Sequence, residues 1–308
     1  MVYAMLSIGL LGFIVWSFIM MALSFSDKGV INFAICWNSF TLINTLNSKN
    51  LINNTQSAGK INDCSSETTR KKSDIDPDWL NWFIGFTEGD GALLNYNNQI
   101  RFVLTQKEGN ILYHIQSILN FGIVKYYPNG YSRFIVTDIP SILKLIKIFN
   151  GNLILPSRIL QLSLWIEILK IKNIKVDNLI ETPKSISLLN AWLSGFTDAE
   201  GCFNVQITLR KENKVGSRVR LRFILDQKNG ESLFLTISNL FSSGFVSLRS
   251  KTKYNDIYRF TINSFSGIPI LIKYFNSFPL KTFKKESYNK WLNIYYMILN
   301  KEHLTEEG

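Results

Sequence analysis

Two acidic residues stand in closely similar surroundings at widely separated points of the chain. Asp90 lies in WLNWFIGFTEGDGALL (79–94), and Glu200 lies in LNAWLSGFTDAEGCFNV (189–205), 110 positions later. Carboxylates brought side by side repel each other, and burying them costs free energy unless a cation neutralises them. Oxygen-only ligands suit a hard ion such as Mg2+. If the two copies meet, the pair predicts metal-dependent phosphodiester hydrolysis, with metal-activated water as the nucleophile.

Small residues that precede each acid indicate how the acids are positioned. Gly85 and Gly89 are four residues apart, as are Gly195 and Ala199, so each pair falls on one face of a helix. Side chains this small let two helix backbones approach closely, and packing about a pseudo-twofold axis would bring the two acids together. The alternative is a pair of ordinary helix ends, each with a capping acid and a glycine. Duplication of the whole motif favours the paired arrangement, because acids do not favour helix C-termini electrostatically.

The similarity extends beyond the acidic motifs and divides the chain into two repeats. Residues 100–126 match residues 221–248 in sequence. Each repeat predicts a helix ending at the acidic motif, two strands, a helix, two further strands and C-terminal helices. We therefore predict an α+β fold of two pseudo-symmetric αββαββα repeats, over residues 79–180 and 181–308. Each repeat would have one sheet with helices on one face, which leaves the other face open to a partner.

The composition points to an anionic partner. Lys and Arg number 34 against 23 Asp and Glu, which gives a formal charge of +11, so nucleic acid and anionic membrane lead the candidates. A hydrophobic fraction of 46% excludes a disordered basic tail. With two histidines and three cysteines, the chain offers little for zinc fingers, His-metal nucleases or Ser-His-Asp triads.

The predicted strands carry polar side chains at every second position. In residues 217–227, arginines alternate with apolar residues, so one side of the strand faces a core and the other presents cations. Arg, Gln and Asn make bidentate contacts to base edges in the major groove, whereas an ordinary solvated face would mix Glu with Lys. The predicted nucleic-acid contacts are Gln99, Arg101, Thr105, Lys125 and Arg133 in the first repeat, and Asn204, Gln206, Thr208, Arg210, Arg218, Arg220, Arg222, Arg249 and Arg259 in the second.

The segment before the repeats differs from them in character. Residues 1–26 contain no charged side chain and are long enough to cross a ~30 Å hydrocarbon core, which predicts a transmembrane helix, with a buried globular helix as the alternative. The sequence VYAMLSIGLLGFIVWS resembles a transmembrane segment of cytochrome c oxidase subunit I. That likeness ends near Ser17, as expected where an exon runs into an intron reading frame. Residues 27–78 are predicted to form a mostly polar linker.

The two motifs, FIGFTEGDG and LSGFTDAEG, resemble those of the LAGLIDADG homing endonucleases and maturases in their single-chain form. The resemblance implies that Asp90 and Glu200 bind the catalytic divalent metal, and that Glu88 and Asp198 are interface or capping residues. It also implies two kinds of accessory residue: the active-site glutamines Gln106 and Gln227, and the basic residues Arg158 and Lys284 beside the scissile phosphate. Arg158 replaces the usual lysine, and Lys281 or Lys285 could take the place of Lys284 in a different register.

The resemblance implies that the protein would be a mitochondrial enzyme that uses Mg2+ to cut both strands of a long, nonpalindromic DNA site and so promotes intron homing. It would act as a monomer, tethered to the membrane by its N-terminal helix or released by proteolysis in the linker. The alternative is a maturase, which binds intron RNA and assists splicing on the same scaffold. A membrane protein with a merely structural basic domain would leave the duplicated acids unexplained.

Overall fold

The computed structural model describes residues 30–34, 75–182, 184–209, 217–251 and 255–305. One strand, β1 (Val30–Ala34), precedes the two repeats. The first repeat contains α1 (Pro77–Asp90), β2 (Gly91–Tyr96), β3 (Gln99–Gln106), α2 (Gly109–Leu119), β4 (Ile123–Tyr127), β5 (Tyr131–Val136), α3 (Ile139–Phe149) and α4 (Pro156–Ile171). The second contains α5 (Trp192–Glu200), β6 (Gly201–Leu209), β7 (Ser217–Lys228), α6 (Glu231–Phe241), β8 (Phe245–Lys251), β9 (Asp256–Ile262), α7 (Ile268–Ser277), α8 (Lys284–Leu299) and a final 3-10 turn (Glu302–Leu304).

Each repeat forms one antiparallel sheet, with strand orders β2-β3-β5-β4 and β1-β6-β7-β9-β8. In the first repeat, Phe102 of β3 packs against the rings of Phe83 in α1 and Phe149 in α3. In the second, Phe203 of β6 packs against Phe275 and Trp291 from α7 and α8. The helices thus cover one face of each sheet, which confirms the predicted α+β architecture of two αββαββα repeats.

Strand β1 lies in the segment that the sequence predicts to be a mostly polar linker. It pairs antiparallel with β6, with Val30 opposite Thr208 and Ala34 opposite Asn204. Its sequence, VINFA, contains the β-branched and aromatic residues that favour strands. The second sheet therefore has five strands, whereas the first has four.

The transmembrane helix predicted for residues 1–26 lies outside the described residues. Within the described ranges, we find no helix with both the length and the apolar character needed to span a bilayer.

Helix α1 has well-defined signals at both ends. The Asp76 side chain accepts a hydrogen bond from the Trp79 N–H at 3.0 Å, and Pro77 occupies the first turn, where a missing N–H costs nothing. At the other end, the chain turns directly from Asp90 into strand β2, and the Gly91 N–H donates to the Thr87 carbonyl. Helix α5 ends in the same way, with the Gly201 N–H on the Thr197 carbonyl.

Helices α1 and α5 pack against each other through the glycines that the sequence singles out. A methyl group on Gly85 would overlap the Trp192 carbonyl, and one on Gly195 would overlap the Trp82 carbonyl. Farther along, Gly89 faces the Ala199 methyl group. The contacts are reciprocal, because the helices are related by pseudo-twofold symmetry, and both helices end at the acidic residues.

We predict that Gly85→Ala destabilises the protein by at least about 3 kcal/mol, because the added methyl group meets backbone atoms that cannot rotate away. Urea unfolding of the two proteins measures the difference. Gly130→Ala is the control without a steric clash: its methyl group would meet nothing within 4 Å, and its positive φ of 81° should cost about 1–2 kcal/mol. Equal losses in the two variants would contradict the proposed close packing.

Candidate active site and nucleic-acid interface

Asp90 and Glu200 lie at the adjacent C-terminal ends of α1 and α5. Burial, together with the nearby Asp90 carboxylate, raises the pKa of Glu200 to about 7. Burial also raises the pKa of Asp90, against the opposing effects of Gln106 and the two neighbouring cations. Each shift reports that a negative charge is poorly solvated here, so the pair resists carrying two charges at once.

The two predicted glutamines differ in their contacts. The Gln106 side-chain amide donates to Asp90 Oδ2 at 2.6 Å, which orients this carboxylate. Gln227 occupies the corresponding position at the end of β7. Among the hydrogen bonds of the described residues, none joins Gln227 to Glu200, so the two acids sit in unequal surroundings.

Arg158 and Lys284 occupy equivalent places beside the two helix ends. The Arg158 guanidinium donates to the carbonyls of Glu88 and Gly89, at 3.0 and 3.1 Å, and the Lys284 ammonium donates to the Ala199 carbonyl at 3.1 Å. Both cations lower the pKa of Asp90 and of Glu200, which places their charges near both carboxylates.

Of the three lysines considered for the second repeat, Lys284 is the one whose ammonium reaches the end of a motif helix. The Lys281 ammonium lies 5.9 Å from the centre of the Trp82 ring, and Lys285 lines a groove beside His114. The register that pairs Lys284 with Arg158 therefore fits the geometry.

Glu88 and Asp198 join the two repeats. Glu88 accepts hydrogen bonds from the N–H groups of Ile154 and Leu155 in its own repeat and from the Trp192 indole in the other. Asp198 accepts from the Lys281 and Thr282 N–H groups in its own repeat, and from the Trp82 indole across the interface. Both acids are buried, and burial raises the pKa of Glu88 to about 7. They act as interface and capping residues.

The pair formed by Asp90 and Glu200 fits a hard divalent cation. Its donors are carboxylate oxygens, and a bound cation would relieve the repulsion that raises the pKa of Glu200. Within the described ranges there is no cluster of three or more His, Cys, Asp or Glu side chains that could hold a metal ion. Two protein carboxylates leave room in the coordination sphere for other oxygens, as Mg2+ commonly requires.

The open face of the first sheet carries all five of its predicted contact residues. Thr105, Arg133 and Lys125 form one row across β3, β5 and β4, because Arg133 is opposite both of the others. Arg101 and Gln99 lie farther along β3, and both are exposed. The Arg133 guanidinium stacks on the Tyr127 ring, 4.7 Å from its centre.

The open face of the second sheet pairs arginines with amides and a hydroxyl. Arg218, Arg220 and Arg222 stand opposite Thr208, Gln206 and Asn204. Asn204 is only 3% exposed, and its Oδ1 accepts two hydrogen bonds from the Arg222 guanidinium, at 2.7 and 2.9 Å. In this structure, therefore, Arg222 rather than Asn204 is presented at the surface. Arg210 lies outside the described residues.

Arg249 and Arg259 also lie on this face, where both bind an acid that the sequence reasoning left out. Arg259 donates to both oxygens of Asp226, at 2.7 and 2.8 Å, and Arg249 donates to Oδ2 at 2.6 Å. The sequence contains an indication of this acid, because Asp226 continues the two-residue period of Arg218, Arg220 and Arg222 and so faces the same side of β7.

The chain is similar to several proteins of known type. A family model described as LAGLIDADG endonuclease matches residues 83–169 and 193–295. Probable intron-encoded endonuclease 4 of Neurospora crassa is 37% identical over 259 residues, which are 82% of this chain and 46% of that protein. An uncharacterized cox1 intron-2 protein of 37.2 kDa from Schizosaccharomyces pombe is 29% identical over 243 residues, covering 76% of this chain and 70% of that protein. The chain thus spans just under half of the Neurospora relative's length.

A solved structure resembles the whole two-repeat domain. The crystal structure of the I-LtrWI LAGLIDADG homing endonuclease bound to target DNA superposes with a TM-score of 0.59 at 25% sequence identity. The match covers 75% of this chain and 94% of that one.

We predict that Glu200→Gln stabilises the metal-free protein at alkaline pH. The folded state holds the Glu200 proton more tightly (pKa about 7) than the ordinary value of 4.5 allows in the unfolded state. Between these two values the folded state binds more protons, so the wild-type free energy of unfolding falls as pH rises. At pH 8 in EDTA the variant should be more stable by on the order of 2 kcal/mol, with little difference at pH 4.

Urea unfolding at the two pH values measures this effect. Glu167→Gln, at an exposed position on α4, is the control and should leave the difference between pH 4 and pH 8 unchanged. If the stability of Glu200→Gln depended on pH as that of the wild type does, the surroundings of Glu200 would not raise its pKa.

Proposed function

Because the chain belongs to the LAGLIDADG endonuclease family, we propose that it is a site-specific DNA endonuclease that cuts both strands of its target. The observation that carries this proposal is the pair of carboxylates, Asp90 and Glu200, held between two cations at the meeting point of the two repeats. The pair lies at the ends of two helices that continue directly into the sheets, and each sheet turns an open, arginine-bearing face away from its helices.

The family's divalent metal chemistry fits these residues, and we assign Mg2+ to the pair. Asp90 and Glu200 would hold the ion, which when bound supplies positive charge at the phosphate and makes water more acidic. Gln106 keeps Asp90 in one orientation through its 2.6 Å hydrogen bond. Arg158 and Lys284 hold two further positive charges close to the carboxylates, where they can stabilise charge that builds up on a phosphate.

The two sheets would each read one half of the DNA site. Their polar residues differ in type and in position, as Thr105 and Asp226 illustrate, so a nonpalindromic sequence suits them better than a palindrome. One chain contains both acidic motifs, so a monomer has a complete pair of carboxylates. The strong basic excess should make binding salt-dependent, since each phosphate contact releases counterions.

The biological setting follows from two independent hints. The first 17 residues resemble cytochrome c oxidase subunit I, and one relative is named for an intron of cox1. We therefore infer that the protein is encoded in a mitochondrial intron of that gene and cuts the intronless allele. Residues 1–26 would anchor it to the inner-membrane surface until proteolysis releases the repeats.

The full-length protein with Mg2+ should cut a plasmid carrying the intronless oxidase junction once, on both strands. The matched control is the same plasmid with the intron inserted, which interrupts the site without altering either flank. Cutting of both plasmids alike would contradict site specificity. Binding of the intron RNA without cutting of either plasmid would favour the maturase alternative.

We predict that Asp90→Asn and Glu200→Gln each reduce the rate of cleavage by roughly a hundredfold or more, because the metal contribution amounts to several kcal/mol. Binding of the same DNA should persist, since the sheet residues are unchanged. Single-turnover cleavage and gel-shift titration measure the two effects. Glu167→Gln controls for the chemical change; wild-type rates in both acid variants would refute the metal assignment.

A further inference from the structure

The second sheet holds a three-membered charge cluster close to the candidate active site. Asp226 on β7 accepts from Arg259 on β9 through two nitrogens, at 2.7 and 2.8 Å, and from Arg249 on β8 at 2.6 Å. The exposed fractions of the side chains rise outward, from 21% for Asp226 to 30% for Arg259 and 52% for Arg249. The acid is therefore less exposed than either of the cations that bind it.

The backbone is arranged to assemble this cluster. Asp226 and Arg259 are direct cross-strand partners, so their side chains share the open face. Strands β8 and β9 shift register between Leu248 and Ser250, and Arg249 is the residue at that irregularity. A bulge of this kind changes the local direction of a strand, and Arg249, the residue at the bulge, donates to the same carboxylate.

An acid on a DNA-facing surface is electrostatically unfavourable, because it removes positive charge that would otherwise attract phosphates. The first repeat avoids this cost. Thr105 occupies the place of Asp226, and its cross-strand partner Arg133 is positioned by stacking on Tyr127 instead. Within the described residues, no acid forms an ion pair with Arg133. The Asp226 carboxylate in the second repeat therefore needs an explanation other than a gain in affinity for DNA.

We propose that Asp226 is a positioning residue for DNA recognition, which fixes Arg249 and Arg259 so that they read guanine in the half-site bound by the second repeat. This inference rests on the proposed function. A guanidinium held by a carboxylate has lost its rotamer freedom before DNA arrives, and its planar donors match the O6 and N7 acceptors of guanine. Arg249 is held through one nitrogen and its side chain is 52% exposed, so its other guanidinium nitrogens would be accessible to an approaching base.

The position of Asp226 places this readout near the cleavage point. Asp226 directly precedes Gln227, the counterpart of the glutamine that binds Asp90. Its charge also contributes to the raised pKa of Glu200, which shows that it lies within electrostatic reach of the catalytic pair. The bases concerned would thus be those next to the cleavage point rather than those at the far end of the half-site.

Selection of bound duplexes from a randomised DNA pool in Ca2+, followed by sequencing, tests this inference on the full chain. The wild type should enrich guanine at one or two positions of one half-site. Asp226→Asn, and Asp226→Thr, which copies the first repeat, should weaken that preference about tenfold or more. Preferences in the other half-site should persist in both variants and serve as proof that the protein is folded.

Two further variants sharpen the comparison. Arg259→Ala should lose the same guanine preference, and adding Asp226→Asn to it should cause little further loss, because the pair acts as a unit. Asp256→Asn makes the same charge change on the same sheet, three residues before Arg259, and should leave the wild-type profile intact.

The outcomes separate this inference from the proposed function. An unchanged base profile in Asp226→Asn would overturn it, as would a uniform loss of affinity for all sequences, which would mean that the arginines contact phosphates. If the wild-type protein enriches no sequence at all, site-specific recognition fails, and the inference about Asp226 fails with it.

Discussion

The close packing of α1 against α5 is the constraint on which the rest of the molecule depends. Because the Trp82 and Trp192 carbonyls lie where a side chain would project from Gly195 and Gly85, the helices approach as nearly as backbones allow. The same two tryptophans donate their indole N–H groups across the interface to the buried acids of the opposite repeat. The glycines therefore allow the close separation of the helices, and the two indole hydrogen bonds join the repeats across the same contact. Since both sheets start at the ends of these helices, the open faces are positioned by the same contact.

This contact gathers four acids at two helix C-termini, where the helix dipole already disfavours negative charge. The structure offsets that cost in two ways. Glu88 and Asp198 accept hydrogen bonds from backbone N–H groups just before the last helix of each repeat, where such donors would otherwise lack partners. Arg158 and Lys284 bind the carbonyls of the motif helices and bring positive charge beside the remaining two acids. The repulsion between the Asp90 and Glu200 carboxylates destabilises the site while it is empty. The same two negative charges favour the binding of a cation.

Much of this arrangement could be predicted from local sequence patterns. The spacing of the small residues and the acids predicted the helix contact, and the period of two in residues 217–227 predicted which side chains face outward. Cross-strand neighbours could not be predicted in this way, because they depend on register between distant segments. The hydrogen bonds from Arg222 to Asn204 and from Arg249 to Asp226 are of this kind. Strand β1 was missed for the same reason, since a five-residue strand is defined by the edge that it pairs with.

The pseudo-symmetry of the scaffold makes its local asymmetries informative. Two equal halves would give the carboxylates equal surroundings, yet Asp90 has a glutamine partner that lowers its pKa, whereas Glu200 has Asp226 nearby, which raises its pKa. Burial raises the pKa of both carboxyls, and these unequal neighbours give the two acids different electrostatic surroundings before a metal binds. Asp226, which causes part of this difference, also forms ion pairs with Arg249 and Arg259 on the second sheet. Base recognition and the electrostatics of the catalytic pair are thus linked through Asp226, and we expect a substitution there to affect both.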